Sequence, residues 1–353
     1  MKALSIFSGC GGLDIGVEAA GFENIANIEL DEHASKTLTS WRELRGKSNE
    51  IINKDIKEID PKIFKNKKIQ LLHGGPPCQS FSLIGKRKSL DDPRGLLLFE
   101  TIRFAEIIKP KAILIENVKG LLSAPDETGT KGGAFNLFIK ELTRLNYISK
   151  YAVINAADFG IPQRRERVFI VATLGKNGFA FPNPTHSEEM EDITLFPMLP
   201  YENSWKFISN LPKPTMKGMK EKVPNHVDVT PDRDIERISY VPEGSYLSCQ
   251  VNVPSSIKMN LSKKDTTKFR RIAKGDPALT LRGGEIFYHP TENRYLTPRE
   301  YMRLHTFPDE LILQGPIRGR SGTVKNLDQH RQVANAVPPK LAELIATEIL
   351  KVI

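Results

Sequence analysis

Cysteine is scarce in this chain: three in 353 residues, Cys10, Cys78 and Cys249, with no two in a C-x-x-C spacing. That scatter argues against a disulfide framework and against a structural zinc site, and no metal is expected. A reducing cytoplasm fits it best. Long apolar runs are missing too. Nothing approaches the roughly 18 to 20 apolar residues that span a bilayer, so no membrane partner is expected. The first residues, Lys2-Ala3-Leu4-Ser5-Ile6-Phe7, enter an apolar strand directly, without the pattern of a signal peptide. Internal repeats and low-complexity tracts are absent. So is any acidic excess: 51 Lys+Arg against 42 Asp+Glu leave a formal net charge of +9. Such a balance suits a polyanionic partner.

The positive charge is concentrated. Between Lys258 and Lys274 seven Lys/Arg stand against a single Asp265. A solvated face is the ordinary reading of such a run. Here Phe269 and Ile272 interrupt it and hydroxyl residues are interleaved, which suits a surface that grips phosphates, with Arg270 and Arg271 as candidates.

Over the first 175 residues short apolar strands alternate with helical patterns, which predicts an α/β fold built on a doubly wound sheet. Strands are expected at 2–7, 25–29, 69–73, 112–116, 148–154 and 167–173, and helices near 12–20, 32–43, 95–108 and 134–145. Asp91-Asp92-Pro93 reads as the start signal of the third helix and Pro110 as its stop. From Gly178 to Pro277 prolines are frequent and periodicity is weak, which predicts a smaller, loop-rich domain. Thr297-Pro298-Arg299-Glu300 then spells a capping box. A last helix is expected from about Pro339 to Leu350, with Leu341, Leu344, Ile345 and Ile349 on one face.

Phe7-Ser8-Gly9-Cys10-Gly11-Gly12 leaves the first strand and opens the first helix, where glycines let the backbone approach a ligand. A G-x-G-G turn alone is weak, since tight turns explain many such glycines. The second strand, however, ends in Glu29, whose carboxylate can take both hydroxyls of a ribose. Asp55 then stands where it can receive an adenine amino group. The glycine spacing is not G-x-G-x-x-G, so an adenosine cofactor without phosphates fits better than a dinucleotide. S-adenosylmethionine is the candidate.

Pro76-Pro77-Cys78-Gln79-Ser80-Phe81-Ser82 follows an apolar strand through Gly74-Gly75. Two prolines aim the backbone, and a thiol held there is either a nucleophile or, as most free cysteines are, a small buried hydrophobe. Ile113 to Val118 is a buried strand carrying Glu116 at its end. A solvated strand end is the usual case; partly desolvated, such an acid carries a proton near neutral pH. In Gln163-Arg164-Arg165-Glu166-Arg167, residues 165 and 167 share a face at period 2, so their guanidinium groups are expected to converge.

With these motifs the chain resembles the C5-cytosine DNA methyltransferases of the bacterial restriction–modification type, over essentially its whole length and in the family's usual order. The segments that carry the resemblance are Phe7–Gly11, Pro77-Cys78-Gln79, Glu116-Asn117-Val118, Gln163–Arg167, Arg294–Glu300 and Gln332–Pro338. The resemblance implies a Rossmann-like methyltransferase sheet with a target-recognition domain. It implies that Cys78 adds to C6 of a flipped cytosine while Glu116 protonates N3. Arg167 then lies at the base carbonyl O2, and Arg165 supports the catalytic loop. It assigns Phe7, Gly9, Gly11, Gly12, Leu13, Glu29, Leu30, Asp55, Ile56, Pro77, Leu97, Asn335 and Val337 to S-adenosylmethionine. It makes residues 79 to 96 a loop closing over double-stranded DNA, with Gln79, Ser82, Lys86, Arg87 and Arg94 as DNA contacts, and it adds Thr280 near the end of the recognition domain.

The implied domains are 1–175 (catalytic, cofactor-binding), 176–290 (target recognition) and 291–353 (completing the catalytic domain). A separate cognate restriction endonuclease, a monomeric state and a nucleoid-associated location in a bacterial cytoplasm are further expectations. The chain departs from the pattern at Leu30, where some members carry an aromatic, and at Ala334 and Ala336, which replace Gly and Ser; Ala336 has no side-chain hydrogen bond to offer. Cys10 reads as packing. Among rivals, a tRNA cytosine methyltransferase lacks the long insert and is expected to carry Cys-Phe-Thr, absent here. A non-catalytic DNA binder would be expected to have lost part of the set Cys78, Glu116, Arg165, Arg167, and a nicotinamide oxidoreductase leaves Cys78 unexplained.

Overall fold

Aliphatic and β-branched runs bounded by glycine, proline or charge form the strands of this chain. The structure, a computed structural model, describes residues 1–77, 97–126, 129–175, 178–188, 198–262, 266–318 and 326–353. The strands that concern the first part of the chain are β1 (Lys2–Ile6), β2 (Glu23–Ile28), β3 (Glu50–Ile52), β4 (Leu71–Gly74), β5 (Ala112–Asn117), β6 (Tyr147–Asn155), β7 (Gln163–Arg164) and β8 (Glu166–Leu174). All but β7 join one sheet in the order β3-β2-β1-β4-β5-β8-β6. The first five run parallel, while β8 is antiparallel to both β5 and β6. Only a short connection links β6 to β8, and a parallel return would need a crossover of roughly a dozen residues or more.

The helices beside this sheet are α1 (Gly12–Ala19), α2 (Glu32–Leu44), α3 (Leu97–Ile108) and α4 (Gly133–Arg144). Asp31 caps α2, its carboxylate accepting the Ala34 N–H at 2.9 Å. Lys109, at φ +51°, ends α3 just before Pro110; the Asp91-Asp92-Pro93 start signal lies outside the described residues. Leu98 and Phe104 of α3 and Phe138 and Leu142 of α4 share one core with Ile113, Ile115, Val168 and Ile170 of the sheet. The C-terminal helix, Pro339–Leu350, buries Leu341, Ile345 and Ile349 as the periodicity predicts, with Leu344 half-buried. It packs on α1 so closely that a Cβ at Gly16 would stand 2.3 Å from the Pro339 carbonyl oxygen. Only glycine fits there.

The chain divides into two compact units, residues 1–155, 166–183 and 339–353 in one, and 156–165 with 184–338 in the other. This differs from the expected boundaries at 175/176 and 290/291. Residues 291–338 stay with the second unit because their partners are there: the Leu296 N–H donates to Phe287 O at 2.8 Å, and the Asn225 side-chain amide to Leu313 O at 3.0 Å.

The second unit is loop-rich, as its prolines predict. Its helices are α5 (Ser204–Ile208), α6 (Asp232–Ser239), α7 (Pro298–Leu304) and α8 (Gln329–Asn335), and its strand pairs are only two or three residues long. Ile238, Val241, Leu247, Tyr288 and Tyr295 form a small core. The capping box at Thr297 and Glu300 is present, with both reciprocal bonds made. Among the described residues no helix is long and apolar enough to cross a membrane.

Candidate active site

β1 leads through α1 to β2 on one side, while β4 leads through α3 to β5 on the other. The carboxyl ends of β1 and β4 therefore form the switch point at which open α/β sheets bind ligands. Both candidate turns leave from that point.

After β1, Phe7, Gly9 and Gly11 take left-handed φ values of 54°, 56° and 90°. For Phe7 that conformation is strained; for the glycines it is free. A Cβ built at Gly9 would meet nothing within 4 Å, so there is open space in front of the turn. Glu29, just past β2, is held by main chain from two loops: Gly9 N–H donates to Oε2 at 2.6 Å and Asp31 N–H to Oε1 at 2.8 Å. Burial pushes the Glu29 carboxyl above its ordinary pKa, against the pull of those two donors. Asn53, which the sequence did not single out, donates to the carbonyls of Glu29 and Leu30 at 2.9 Å each.

Asp55 caps the short helical turn Ile56–Glu58, accepting the Lys57 N–H at 3.0 Å. Leu13 and Ile56 are buried, Gly12 is buried, Leu97 is half-buried, and Leu30 is 65% exposed. Cys10 is buried, and burial pushes its thiol far above the ordinary value, which leaves it inert and matches its reading as packing. Beneath the turn lies a buried polar pair that the sequence did not reveal. Asp14 accepts a short hydrogen bond from the Asn27 amide, and burial raises its carboxyl to about 7.

After β4, Gly75-Pro76-Pro77 runs towards Cys78, which with Gln79, Ser82, Lys86, Arg87 and Arg94 lies outside the described residues. Pro77 is exposed. The end of β5 holds this segment, since the Asn117 amide donates to the Pro76 carbonyl at 3.0 Å. The Glu116 carboxylate lies against Gly75, with Oε2 3.4 Å from where a Cβ would stand. Glu116 is 7% exposed, and its Oε1 is 3.1 Å from Nε of Arg167 on β8. The antiparallel register, Asn117 opposite Val168, brings these two strand ends together. Thus the proline turn, the acid and one arginine converge. Asn117 is the brace that sequence reasoning missed, although it stands beside Glu116 in the same motif.

The expected convergence of Arg165 and Arg167 assumes one unbroken strand. The strand breaks at residue 165, because β7 ends at Arg164 and β8 begins at Glu166. Arg165 belongs to the second unit, is 1% exposed, and donates to the Ala336 carbonyl at 2.8 Å. Asn335 and Val337 also lie in the second unit, the first exposed and the second buried.

Two expected DNA contacts make internal hydrogen bonds, Thr280 at the wall of a hollow and Arg271 in the interior. Thr280 donates its hydroxyl to the Arg164 carbonyl at 2.7 Å. Arg271 is 8% exposed, and its guanidinium donates to the carbonyls of His289, Val241 and Glu292 at 2.9 to 3.1 Å. It is unavailable to a phosphate. Arg270 faces a hollow on the opposite side of the same strand.

Open space in front of the Gly9 turn thus lies at the switch point, and the Glu116–Arg167 pair lies beside the Gly75-Pro76-Pro77 turn. The profile of the C-5 cytosine-specific DNA methylase family matches residues 1–351. The chain is 33% identical over 357 residues to the Type II methyltransferase M.NgoFVII of Neisseria gonorrhoeae, covering 99% of this chain and 87% of that protein. It is 30% identical over 356 residues to the Type II methyltransferase M1.HphI of Haemophilus parahaemolyticus, covering 99% and 86%. Among solved structures, a chain named as a DNA modification methyltransferase of an E. coli prophage superposes with a TM-score of 0.68 at 21% identity, over 99% of both chains; that likeness concerns the fold. The protein belongs to the C-5 cytosine-specific DNA methylase family, and it is an enzyme of that class.

Proposed function

We propose that this enzyme transfers a methyl group from S-adenosylmethionine to C5 of a cytosine flipped out of a specific double-stranded DNA sequence, within a restriction–modification system. The observation that carries the reading is the Glu116–Arg167 pair at 3.1 Å, set against Gly75 at the root of the turn that leads to Cys78.

Cytosine C5 is too electron-poor to attack a methyl sulfonium unaided. Cys78 is the nucleophile that adds to C6 and turns the ring into an enamine. Glu116, partly desolvated at the strand end, delivers a proton to N3 as the thiolate adds. Arg167 holds the Glu116 carboxylate in place and offers its remaining donors to the base carbonyl O2. Loss of the C5 proton then expels the thiolate. The Phe7–Gly12 turn, Glu29 and Asp55 would hold the cofactor by its methionine, ribose and adenine parts in turn, and when bound it supplies the methyl group. The open space at Gly9 and the pre-oriented Glu29 carboxylate support that fit.

In this reading residues 1–175 carry the catalytic, cofactor-binding part, residues about 176–290 the target recognition, and residues 291–353 complete the catalytic domain. Bisulfite sequencing of DNA from a methylation-free host expressing the chain tests the reading. Protected cytosines in one sequence context are the expected result; none at all would refute it.

Glu29 gives a second test. Glu29→Ala removes two charge-assisted acceptors for the ribose and is expected to weaken S-adenosylmethionine binding by about 2 to 4 kcal/mol. Because the Glu29 carboxyl is raised by burial, affinity should fall as pH is lowered through that raised value, where the protonated form accepts less well. Glu29→Gln should bind weakly with a flatter pH profile. Calorimetry showing wild-type affinity in both variants would mean that the pocket is misassigned.

A further inference from the structure

The second unit has a hollow of about 350 Å³ whose walls carry three arginines, Arg164, Arg270 and Arg282, with Tyr246, Glu285 and Phe287. Two of these arginines are already compensated. Both terminal nitrogens of Arg164 lie 2.6 Å from the Glu188 carboxylate, and Arg282 lies 3.1 Å from Glu285. Arg270 has no ion pair with any described carboxylate.

Its guanidinium is nonetheless held still. The backbones of Tyr246 and Arg270 form an antiparallel bridge, which sets the two side chains together. The guanidinium carbon lies 4.7 Å from the centre of the Tyr246 ring, and Nη1 donates to the Tyr246 hydroxyl at 2.5 Å. The contact with the ring and the hydrogen bond together restrain the guanidinium. The strand beneath is rigid as well, because the neighbouring Arg271 is anchored on main-chain carbonyls on the other face.

We propose that Arg270, clamped on Tyr246, reads one guanine of the recognised DNA sequence through O6 and N7. This rests on the reading of the enzyme as a DNA methyltransferase. A planar fork with a fixed orientation matches the two acceptors of guanine in the major groove. Phosphate is the less suitable ligand, because phosphate contacts need charge rather than a fixed plane. Charge alone would be served by a mobile lysine; the clamp adds cost and specificity that only a base edge uses.

The test uses the full-length protein on a duplex library randomised around a cytosine, with methylated positions read by bisulfite sequencing at several salt concentrations. Wild-type protein should show at least one required guanine. Arg270→Ala and Arg270→Lys should each relax that one position by roughly 5- to 150-fold while preferences elsewhere persist. Arg270→Lys keeps the charge, and the surviving preferences report that the variants fold. As a check independent of any variant, 7-deazaguanine is placed in turn at each required guanine of the wild-type site. One position should lose activity by a similar factor. If Arg270→Lys keeps every guanine preference, or no guanine is sensitive to loss of N7, the proposal is overturned. An even loss over all sequences in Arg270→Ala, with a salt dependence shallower by about one phosphate, also overturns it in favour of a backbone contact. Wild-type protein that methylates nothing in the library refutes the underlying function instead.

Discussion

Duplex DNA carrying 5-fluorocytosine at the target position is expected to trap this enzyme, with cofactor present, as a methylated adduct on Cys78 that survives denaturation. The release step requires a proton to leave C5, and fluorine cannot leave as a cation. The C6–S bond therefore persists once the methyl group has been transferred. Cys78→Ala should form no adduct and turn over no substrate, while it still binds DNA. Glu116→Gln keeps the shape of the acid but cannot deliver a proton to N3. Its turnover should fall by roughly 10²- to 10⁴-fold, the usual contribution of general acid catalysis. A denaturing gel decides the matter. No shifted band with wild-type protein on fluorinated DNA containing its own site, or full activity in Cys78→Ala, would sink the assignment.

The largest stability effect is expected at the Arg294–Glu300 pair of the second unit. Both residues are buried, and the guanidinium grips the carboxylate through two nitrogens at 2.9 and 2.7 Å. The same carboxylate accepts the Thr297 N–H at 2.7 Å as half of the capping box. Removing one partner strands a buried charge and, for Glu300, a helix cap as well. Arg294→Ala and Glu300→Ala should each destabilise by about 3 to 5 kcal/mol, while the double replacement by Met and Leu should cost much less than the sum. Burial works against ionisation of Glu300, but the Arg294 guanidinium outweighs it and holds the carboxyl below the ordinary range. Its contribution is thus complete above the unfolded value of about 4.3 and is lost as pH falls through the lower folded value. Trp205 packs edge-on against His289, ring centres 5.8 Å apart, beside this network. Its fluorescence can follow denaturant unfolding; midpoints unchanged in both single variants would refute the account.

Much of the architecture follows from short-range pattern. The parallel strands β1, β2, β4 and β5, the four sheet helices, the capping box and the C-terminal helix stand within a few residues of where periodicity and end signals place them, whereas the three-residue β3 is not among the expected strands. Pairing and capping at that range depend on residues a few positions apart, which one sequence displays. The resemblance likewise groups Pro77, Glu116 and Arg167 in one site; the first two follow or end parallel strands, and Arg167 lies at the start of the antiparallel β8 beside them.

What the tertiary structure decided is which of two similar neighbours does what. Arg270 and Arg271 are indistinguishable by composition. Period-2 alternation sends one to the hollow and the other into main-chain carbonyls, and the choice depends on the partner at Phe287 and on the burial of Arg271. Arg167 pairs with Glu116 near the start of β8, while Arg165, at the strand break, donates to the Ala336 carbonyl. Asn117 acquires its role only through the Pro76 carbonyl, which is 41 residues away in sequence. The unit boundary at 338/339 rather than 290/291 has the same origin, since residues 291–338 find their hydrogen-bond partners far back in the second unit. Local sequence sets the elements, but burial and register choose among equivalent side chains, and both are properties of the assembled sheet.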